Sequence, residues 1–422
     1  MLNARLYVTG VGLVTALAPT REASWEALLR GDRGIREIDL FDTTGLRGRL
    51  GGQVLDVTIR DAPRVATGSA WSRSSMMAFI AAREALQQAN LDPAKARVGL
   101  VVGGTTGGMF ENEGRLAELH SNPRNEDALI ELLSHPLTAA TDCVSHALGP
   151  FVRTRTLSTA CSSGANALIV AAGWLRAGLV DAVVAGGSDG LCRITLAGFN
   201  ALSAIDPDPC RPFDKARRGL NLGEGAGFVV LERATEVRTR KATPIAELAG
   251  WALGSEAHHI TNPEPTGTTP ARVIQAALDR AKLAPADIDY VNAHGTGTPL
   301  NDPMESAALV RALGSEIARI PVSSSKAQLG HALAAAGAIE AGICALVLQR
   351  QKIVPTVGLV DPDPACPLVH VPGEGRAHRV RAVLSNSFGF GGMDSSLVFK
   401  EANIDDPPIF VEEKRRVVVT GA

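Results

Sequence analysis

The stretch Leu157-Ser-Thr-Ala-Cys-Ser-Ser-Gly-Ala-Asn166 predicts a strand that turns sharply into a helix of apolar and small residues, Ala165 to Ala177. This prediction puts Cys161 at a helix N-terminus, where partial positive charge and free backbone N–H groups favour a thiolate and anionic ligands. A lone cysteine in such a setting is more often a packed small residue. Because every neighbour of Cys161 is also small, its sulfur has room to face a cavity, and we treat it as a candidate nucleophile.

Two histidines next to glycines follow far downstream. His294 lies in Ala293-His-Gly-Thr-Gly-Thr-Pro299, directly after an apolar strand, where the glycines allow a tight turn that exposes the imidazole. His331 ends the segment Ser323-Ser-Ser-Lys-Ala-Gln-Leu-Gly-His331 and precedes a helix of very small residues. A cysteine and histidines that the fold brings together are typical of nucleophilic catalysis, so these three side chains form the leading candidate site.

Charged residues accompany both histidines. Lys326 is a cation in an otherwise neutral segment and would ordinarily lie at the surface. Asp302 and Glu305 lie at the start of a predicted helix, where acidic residues commonly complement the helix dipole. Glu305 is also a possible partner for Lys326.

A glycine-rich loop near the C-terminus, Ser385-Asn-Ser-Phe-Gly-Phe-Gly-Gly392, joins two apolar strands. Glycine lets the backbone of such a loop approach a ligand, and an aromatic side chain in it can act as a movable gate. No helix carrying Lys-Ser or Lys-Thr follows, so the loop does not match a phosphate-binding motif.

Short β-branched runs alternate with Ala/Leu-rich helical segments, which predicts an α/β fold with a mainly parallel sheet covered on both faces. The predicted strands are Leu6–Thr9, Val98–Val102, Thr154–Ser158, Ala182–Ala185, Gly227–Glu232, Ala246–Ala252, Tyr290–Ala293, Pro321–Ser324, Val380–Asn386 and Ser395–Lys400. The strongest internal boundary falls near residues 235–255, where Glu232-Arg-Ala-Thr-Glu-Val-Arg-Thr-Arg-Lys241 forms a charged stretch. Because each half then carries one strand-to-turn element with a reactive side chain, we expect the site at the junction of the halves.

Composition excludes several functions. The net charge of −2 comes from dispersed charges, so nothing indicates nucleic-acid binding. The sequence contains no uninterrupted run of about 18 apolar residues, so it predicts no membrane-spanning helix. The six cysteines show neither CxxC pairing nor zinc spacing, which favours free thiols in the reducing cytoplasm.

Four motifs, in this order, make the chain resemble the β-ketoacyl-acyl-carrier-protein synthases (ketosynthases) of the thiolase superfamily over roughly residues 5–400. They are Thr159-Ala-Cys-Ser-Ser-Gly164, Ala293-His-Gly-Thr-Gly-Thr-Pro-Leu-Asn-Asp302, Ser325-Lys-Ala-Gln-Leu-Gly-His331 and Asn386-Ser-Phe-Gly-Phe-Gly-Gly392. The resemblance implies a five-layered αβαβα thiolase-like fold built of two similar halves, 1–250 and 251–402. It implies a homodimer or a pairing with a ketosynthase-like subunit, acyl carrier protein as partner, and no metal or redox cofactor.

The resemblance also implies a reaction, the decarboxylative Claisen condensation of an acyl thioester with a malonyl thioester in fatty-acid or polyketide biosynthesis. Cys161 would accept the acyl group, His294 and His331 would support decarboxylation, and Lys326 would orient the site by its charge together with Glu305. Backbone N–H groups of Cys161 and Phe390 would surround the thioester oxygen. The remaining implied site residues, one supporting and two in the gating loop, are Asp302, Phe388 and Gly391.

Two departures from the family pattern affect the surroundings of the site. Met393-Asp-Ser395 stands where the family usually has Thr-Asn after the two glycines, and Lys326 is followed by Ala-Gln-Leu rather than the commoner Ser-Leu-Thr type of filling. These changes leave the reactive set intact and affect the preference for acyl groups.

Three other hypotheses remain. Ketosynthase-like chain-length partners usually lack the cysteine, so the presence of Cys161 argues against an inactive subunit but not against a ketosynthase that needs such a partner. A thiolase proper would need a second cysteine in a C-terminal loop, and the 385–392 loop has none. Finally, Lys414-Arg-Arg-Val-Val-Val-Thr-Gly-Ala422 echoes Arg5-Leu-Tyr-Val-Thr-Gly10, so the tail 403–422 either begins a second ketosynthase-like unit or is a chance β-rich end.

Overall fold

The computed structural model describes residues 5–55, 57, 71–121 and 132–404. Its strands are β1 (Leu6–Val14), β2 (Ile35–Glu37), β3 (Leu50–Gly52), β4 (Val98–Gly103), β5 (Arg153–Leu157), β6 (Ala182–Asp189), β7 (Leu222–Gly223), β8 (Gly225–Arg233), β9 (Ala246–Ser255), β10 (Tyr290–Asn292), β11 (Pro321–Ser323), β12 (Lys352–Ile353), β13 (Val369–His370), β14 (Arg376–Ala377), β15 (Ala382–Gly389) and β16 (Met393–Glu401). Its α-helices are α1 (Arg21–Arg30), α2 (Arg73–Ala89), α3 (Met109–Ser121), α4 (Thr138–Leu148), α5 (Ser163–Arg176), α6 (Arg193–Ala201), α7 (Ala234–Arg240), α8 (Thr268–Ala281), α9 (Asn301–Leu313), α10 (Lys326–Leu329) and α11 (Ala336–Arg350).

A large central sheet contains eleven of these strands, in the order β13-β11-β10-β15-β16-β9-β1-β8-β6-β4-β5. One five-strand arrangement occurs in it twice. The first set lies across the sheet in the order β5-β4-β6-β8-β1, and the second set lies in the order β11-β10-β15-β16-β9. When the five strands of each set are numbered along the chain, both orders read third, second, fourth, fifth, first. The two sets meet where β1 pairs antiparallel with β9 through Tyr7 and Val8.

The prediction of a mainly parallel sheet is wrong, because five of the ten strand pairs in it are parallel and five are antiparallel. Strands β15 and β16 are separated only by Phe390–Gly392. Such a short connection must reverse the chain, since parallel neighbours need a crossover of about a dozen residues or more. Both faces of the sheet are covered, so antiparallel strands such as β8 are as continuously apolar as buried parallel ones.

Helices α5 and α11 pack against each other and against the sheet at the centre of the fold. Residues 336–348 of α11 are all buried, so this helix has no polar face. The continuous stretch Leu333–Arg350 is long and apolar enough to cross a membrane by length and composition, but 89% of it is buried inside the protein. Its hydrophobicity is therefore accounted for by packing in the core.

Close contact between these helices depends on Gly164, in the first turn of α5. A Cβ atom at this position would lie 2.6 Å from the backbone oxygen of Ala334 and 2.7 Å from the backbone nitrogen of Ala338. The absence of a side chain at Gly164 thus lets the start of the cysteine-bearing helix approach the segment that follows His331.

We expect Gly164→Ala to lower the free energy of unfolding by about 1–3 kcal/mol, because the added methyl group meets backbone atoms that cannot easily move. Gly173→Ala, in the same helix, is the matched control. Nothing lies within 4 Å of a Cβ there, so better helix propensity should raise stability by up to about 1 kcal/mol. Urea unfolding of both variants checks this, and equal effects at the two positions would contradict the close-contact explanation.

Only the first two residues of the tail, 403–404, lie among the described residues. The Tyr7 hydroxyl donates a hydrogen bond to the backbone oxygen of Asn403 at 2.7 Å, so the chain passes beside β1 after β16. The sequence echo at 414–422, and with it the prediction of a second unit, lies outside the described residues.

Candidate active site

The turn that carries Cys161 connects β5 to α5, as the sequence predicts. Ala160 has φ = +51°, a left-handed conformation that is costly for a non-glycine residue and is often found at functional sites. Ser163 stabilises the turn, because its hydroxyl accepts from the backbone N–H of Thr159 at 2.8 Å and donates to the backbone oxygen of Ala160 at 2.6 Å. Cys161 is thereby held two residues before the first residue of the helix.

The helix N-terminus favours a thiolate at Cys161, but burial acts in the opposite direction. Burial raises the pKa of Cys161 to about 11, although the backbone N–H of Phe390 and the charge of Lys326 oppose this increase. Desolvation of the charged form thus outweighs the favourable helix N-terminus. The resting residue is a neutral thiol whose sulfur already faces the N–H groups of Phe390 and Cys161.

The imidazoles of His294 and His331 lie next to each other, with ring centroids 5.3 Å apart and ring planes at 84°. Both side chains are buried, and both Nδ1 atoms lack a hydrogen-bond partner among the described residues. Burial and the charge of Lys326 hold the pKa of each imidazole well below its ordinary value. Both rings are therefore neutral at pH 7, and each has one N–H to donate.

Glu305 positions one of these histidines but does not pair with Lys326. Its two carboxylate oxygens accept hydrogen bonds from the backbone N–H groups of His294 and Gly295, each at 2.8 Å, and Asn386 adds a third at 3.3 Å. Burial raises the pKa of Glu305 to about 7, against the effect of these donors. The carboxyl group lies behind the backbone of His294 and shapes the turn there.

Asp302 acts in a similar way on a neighbouring loop. At the start of α9, it accepts from the backbone N–H of Phe213 at 2.7 Å, from that of Gly297 at 3.2 Å and from the side chain of Asn301 at 3.1 Å. It therefore connects the loop after His294 to the segment around Phe213. Asp302 lies at the predicted helix start, but its carboxylate accepts hydrogen bonds from these specific N–H groups rather than only complementing the helix dipole.

The partner of Lys326 is Glu340, which was not expected. The two side chains form an ion pair in which each is 2% exposed. Glu340 lies in the middle of α11, the central apolar helix, so the pair joins the active-site segment to the core. This corrects the expected pairing of Lys326 with Glu305, whose oxygens are already occupied by backbone N–H groups.

We expect Lys326→Met to lower the free energy of unfolding by about 3–5 kcal/mol, because it leaves the Glu340 carboxylate buried without its partner. Glu340→Met should cost a similar amount by the same reasoning. The double variant should regain most of this loss, since an apolar pair of similar volume is often neutral or stabilising. Urea unfolding of all four proteins gives the coupling, and additive losses would show that the pair does not act as a unit.

The loop between β15 and β16 closes one side of the site. Phe388 lies edge-on to His294, with ring centroids 5.9 Å apart, while Phe390 stacks on Phe199 at 5.5 Å and 16°. Gly391 has φ = +82°, which only glycine adopts easily, and its N–H donates to the backbone oxygen of Ile260 at 2.9 Å. The predicted gate residues thus lie beside the nucleophile, and Phe390 contributes both a ring and a backbone donor.

These residues surround one cavity of about 280 Å³, lined among others by Cys161, Phe199, His294, His331, Phe388 and Phe390. Lys326, Glu305 and Asp302 lie behind this lining. The structure therefore brings the predicted reactive set together at one cavity.

Sequence reasoning missed Glu340 and Asp189 as supporting residues. Asp189, at the end of β6, accepts hydrogen bonds from the backbone N–H groups of Thr105, Thr106 and Ala334, each at 2.8 Å. It thereby connects the end of β4 to the segment after His331. The sequence offered one signal for each residue. Asp189 ends a Gly-rich apolar strand, and Glu340 is a single carboxylate in an apolar helix.

Comparison with known proteins places both halves of the chain in one family. Residues 3–237 match the model of the beta-ketoacyl synthase N-terminal domain, and residues 245–360 match that of the C-terminal domain. The tetracenomycin polyketide synthase ketoacyl synthase alpha subunit of Streptomyces glaucescens is 37% identical over 410 residues, 93% of this chain and 96% of the relative. The 3-oxoacyl-[acyl-carrier-protein] synthase 2 of Staphylococcus aureus (strain COL) is 35% identical over 409 residues, 94% of this chain and 99% of the relative.

Solved structures agree with this assignment. The ishigamide ketosynthase/chain length factor superimposes with a TM-score of 0.88 at 33% identity, covering 95% of this chain and all of that one. Since family models cover most of the chain and relatives span nearly its full length, this chain belongs to the beta-ketoacyl synthase family of condensing acyltransferases.

Proposed function

We propose that this enzyme transfers an acyl group from acyl carrier protein to Cys161 and then condenses it with malonyl-acyl-carrier protein to give a β-ketoacyl thioester. The observation that carries the proposal is the shared cavity, where a buried thiol lies among two neutral imidazoles and two backbone donors. Thr296 and Thr298, which also line it, offer hydroxyl groups toward the incoming thioester arm.

In the first step, the Cys161 sulfur attacks the carbonyl carbon of the acyl thioester. A new sulfur–carbon bond forms, the bond to the carrier sulfur breaks, and the thiol proton passes to the departing carrier thiolate through a neighbouring imidazole. The backbone N–H groups of Cys161 and Phe390 stabilise the negative oxygen of the tetrahedral intermediate. Losing one such donor typically costs about 2.7–4 kcal/mol.

In the second step, the malonyl thioester loses its carboxylate as carbon dioxide, and the electron pair of the broken bond forms an enolate. N–H groups of neutral His294 and His331 donate hydrogen bonds that stabilise the enolate oxygen, as preorganised donors do for a developing oxyanion. The enolate carbon then attacks the acyl-Cys161 carbonyl. Collapse of this intermediate breaks the bond to the cysteine sulfur, and the released thiolate takes up one proton from solvent.

The supporting residues act through these groups. Burial, aided by the charge of Lys326, keeps both imidazoles neutral, while Glu305 and Asp302 fix the loop that carries His294. Phe388, Phe390 and Gly391 form the gate. We assign no step to a metal or redox cofactor.

We extend the proposal to the whole chain in three respects. The halves are 1–250, with Cys161, and 251–402, with His294, Lys326 and His331, and residues 403–422 follow them. The repeated strand order supports a five-layered αβαβα arrangement. The six buried, free cysteines support a cytoplasmic location.

A ketosynthase that acts only with a chain-length partner is the second candidate. The similarity to a ketosynthase/chain length factor favours it. Strand β5 lies at the edge of the sheet, and Val152, just before the strand that leads to Cys161, is 59% exposed. A second subunit, identical or not, could cover this edge.

Reconstitution tests both candidates. The purified chain is given acyl- and malonyl-acyl-carrier protein, its mass in solution is measured, and carbon dioxide and β-ketoacyl product are quantified. We expect one carbon dioxide per product. Product without carbon dioxide would contradict the proposed reaction, and full activity of a homodimer would exclude the second candidate.

A further inference from the structure

The carboxyl group of Asp394 is the unusual feature of the active-site cavity. It lies in β16, directly across from Phe388 on β15 and Gly254 on β9, and it lines the same cavity as Cys161 and both histidines. Its side chain is 1% exposed, and neither Oδ1 nor Oδ2 has a hydrogen-bond partner within the described part of the chain. Among the described residues it is the one carboxyl group with both oxygens buried and unpartnered.

The lack of partners for Asp394 is exceptional, because the buried serines that follow it and the other buried carboxylates of the site are hydrogen-bonded. On the same strand, the Ser395 hydroxyl donates to Asn166 at 2.6 Å and the Ser396 hydroxyl donates to Asn386 at 2.9 Å. The buried carboxylates Glu305 and Asp302 each hold several donors. Buried polar groups in proteins are nearly always hydrogen-bonded, so an unsatisfied one beside a reactive centre points to a group that the ligand supplies.

The charges around Asp394 are of its own sign. Burial, followed by the negative charges of Glu256 and Glu264, raises its pKa to about 8. Glu256 also lines the cavity, and its Oε2 accepts only the backbone N–H of Glu264 at 2.8 Å among the described residues. A cation that donates N–H groups to Asp394 would lower this pKa again and oppose the charge of Glu256, so this wall of the cavity favours such a ligand.

Resting on the proposed function, we propose that Asp394 is a specificity-determining residue that selects acyl thioesters carrying a protonated amino group. An ammonium group would supply donors to both oxygens and oppose the negative charge of the wall. An alkyl chain of the same shape would leave the carboxyl group unpartnered. A site built to hydrogen-bond a substrate group rejects the analogue that lacks it far more strongly than an apolar pocket rejects a missing methyl group.

The test compares ω-aminoacyl thioesters on acyl carrier protein with chains in which methyl replaces the amino group. For each chain length from about four to eight carbons, intact-mass spectrometry follows the rate of Cys161 acylation. At one or more lengths, we expect the wild type to prefer the amino form at least tenfold. We expect Asp394→Asn, which removes the ionisable carboxyl group at almost constant shape, to lose this preference mainly by accepting the methyl-terminated chain faster.

Asp279→Asn is the matched control, because it removes the same charge from an exposed position on α8; it should keep the preference. A wild type that prefers methyl-terminated chains at every length, or a preference that survives Asp394→Asn, would overturn the proposal. An equal change in the acylation rates of both chains would also overturn it, because such a change would indicate an effect on the loop between β15 and β16 alone. If neither class acylates Cys161 at all, the proposed function itself fails.

Discussion

Cys161→Ala is expected to abolish both the covalent acyl-enzyme and the condensation product, with a loss of rate of at least about a thousandfold. In another enzyme, replacing the catalytic nucleophile lowers kcat by up to about a millionfold. The structure gives the physical reason, because among the described residues no other cysteine lines the cavity that contains both imidazoles. Intact-mass spectrometry and product quantification measure the two losses.

Two further variants separate chemistry from folding. Cys143→Ala removes another buried thiol, on α4 and away from the cavity, and should retain acylation. Cys161→Gln should stop acylation but still release carbon dioxide from malonyl-acyl-carrier protein, because the histidines remain. Elongation of acyl chains by Cys161→Ala would show that the nucleophile is wrongly assigned.

His294→Ala and His331→Ala are each expected to slow decarboxylation by about a hundred- to a thousandfold, as removal of one preorganised donor to a developing oxyanion does. The rate of carbon dioxide release is measured in the Cys161→Gln background, where no acyl transfer occurs. The corresponding rate of Cys161 acylation in the single variants should fall less, because two backbone donors remain for that step.

The contrast between the two rates is the control. If either histidine variant lost acylation and decarboxylation by the same factor, that imidazole would serve both steps equally, and the assigned main role at the enolate would be wrong. If carbon dioxide release were unchanged in both variants, neither ring would stabilise the enolate, and the assigned roles would be wrong.

Much of the fold was predictable because its main strands are long or clearly apolar. Each predicted strand overlaps one of the main-sheet strands, including β5 and the β15–β16 pair. The missed strands β2, β3, β7, β12, β13 and β14 have only two or three residues each, too few for any alternation of side chains to be visible. Strand direction was mispredicted for half the pairs, since burial on both faces conceals it.

The sequence predicted which reactive residues form the site, but not which charged residues pair with one another. The positions of Cys161, His294 and His331 follow from small residues and glycines at strand ends. The partner of Lys326 did not follow, because Glu305 and Glu340 are equally acidic and only packing shows whose oxygens are free. The state of the thiol also needed the structure, since its pKa depends on how fully burial outweighs the helix N-terminus.

Asp394 illustrates the same limit. The sequence reveals an aspartate at an unusual position after the two glycines, but any consequence depends on whether its oxygens have partners. The described residues provide a partner for neither oxygen.

The most direct test of the central claim is peptide mapping by mass spectrometry after incubation with an acyl-acyl-carrier protein. We predict a single acyl increment, located on the peptide that contains Cys161 and absent from Cys161→Ala. An increment on any other cysteine, or condensation without any covalent acyl-enzyme, would contradict the account.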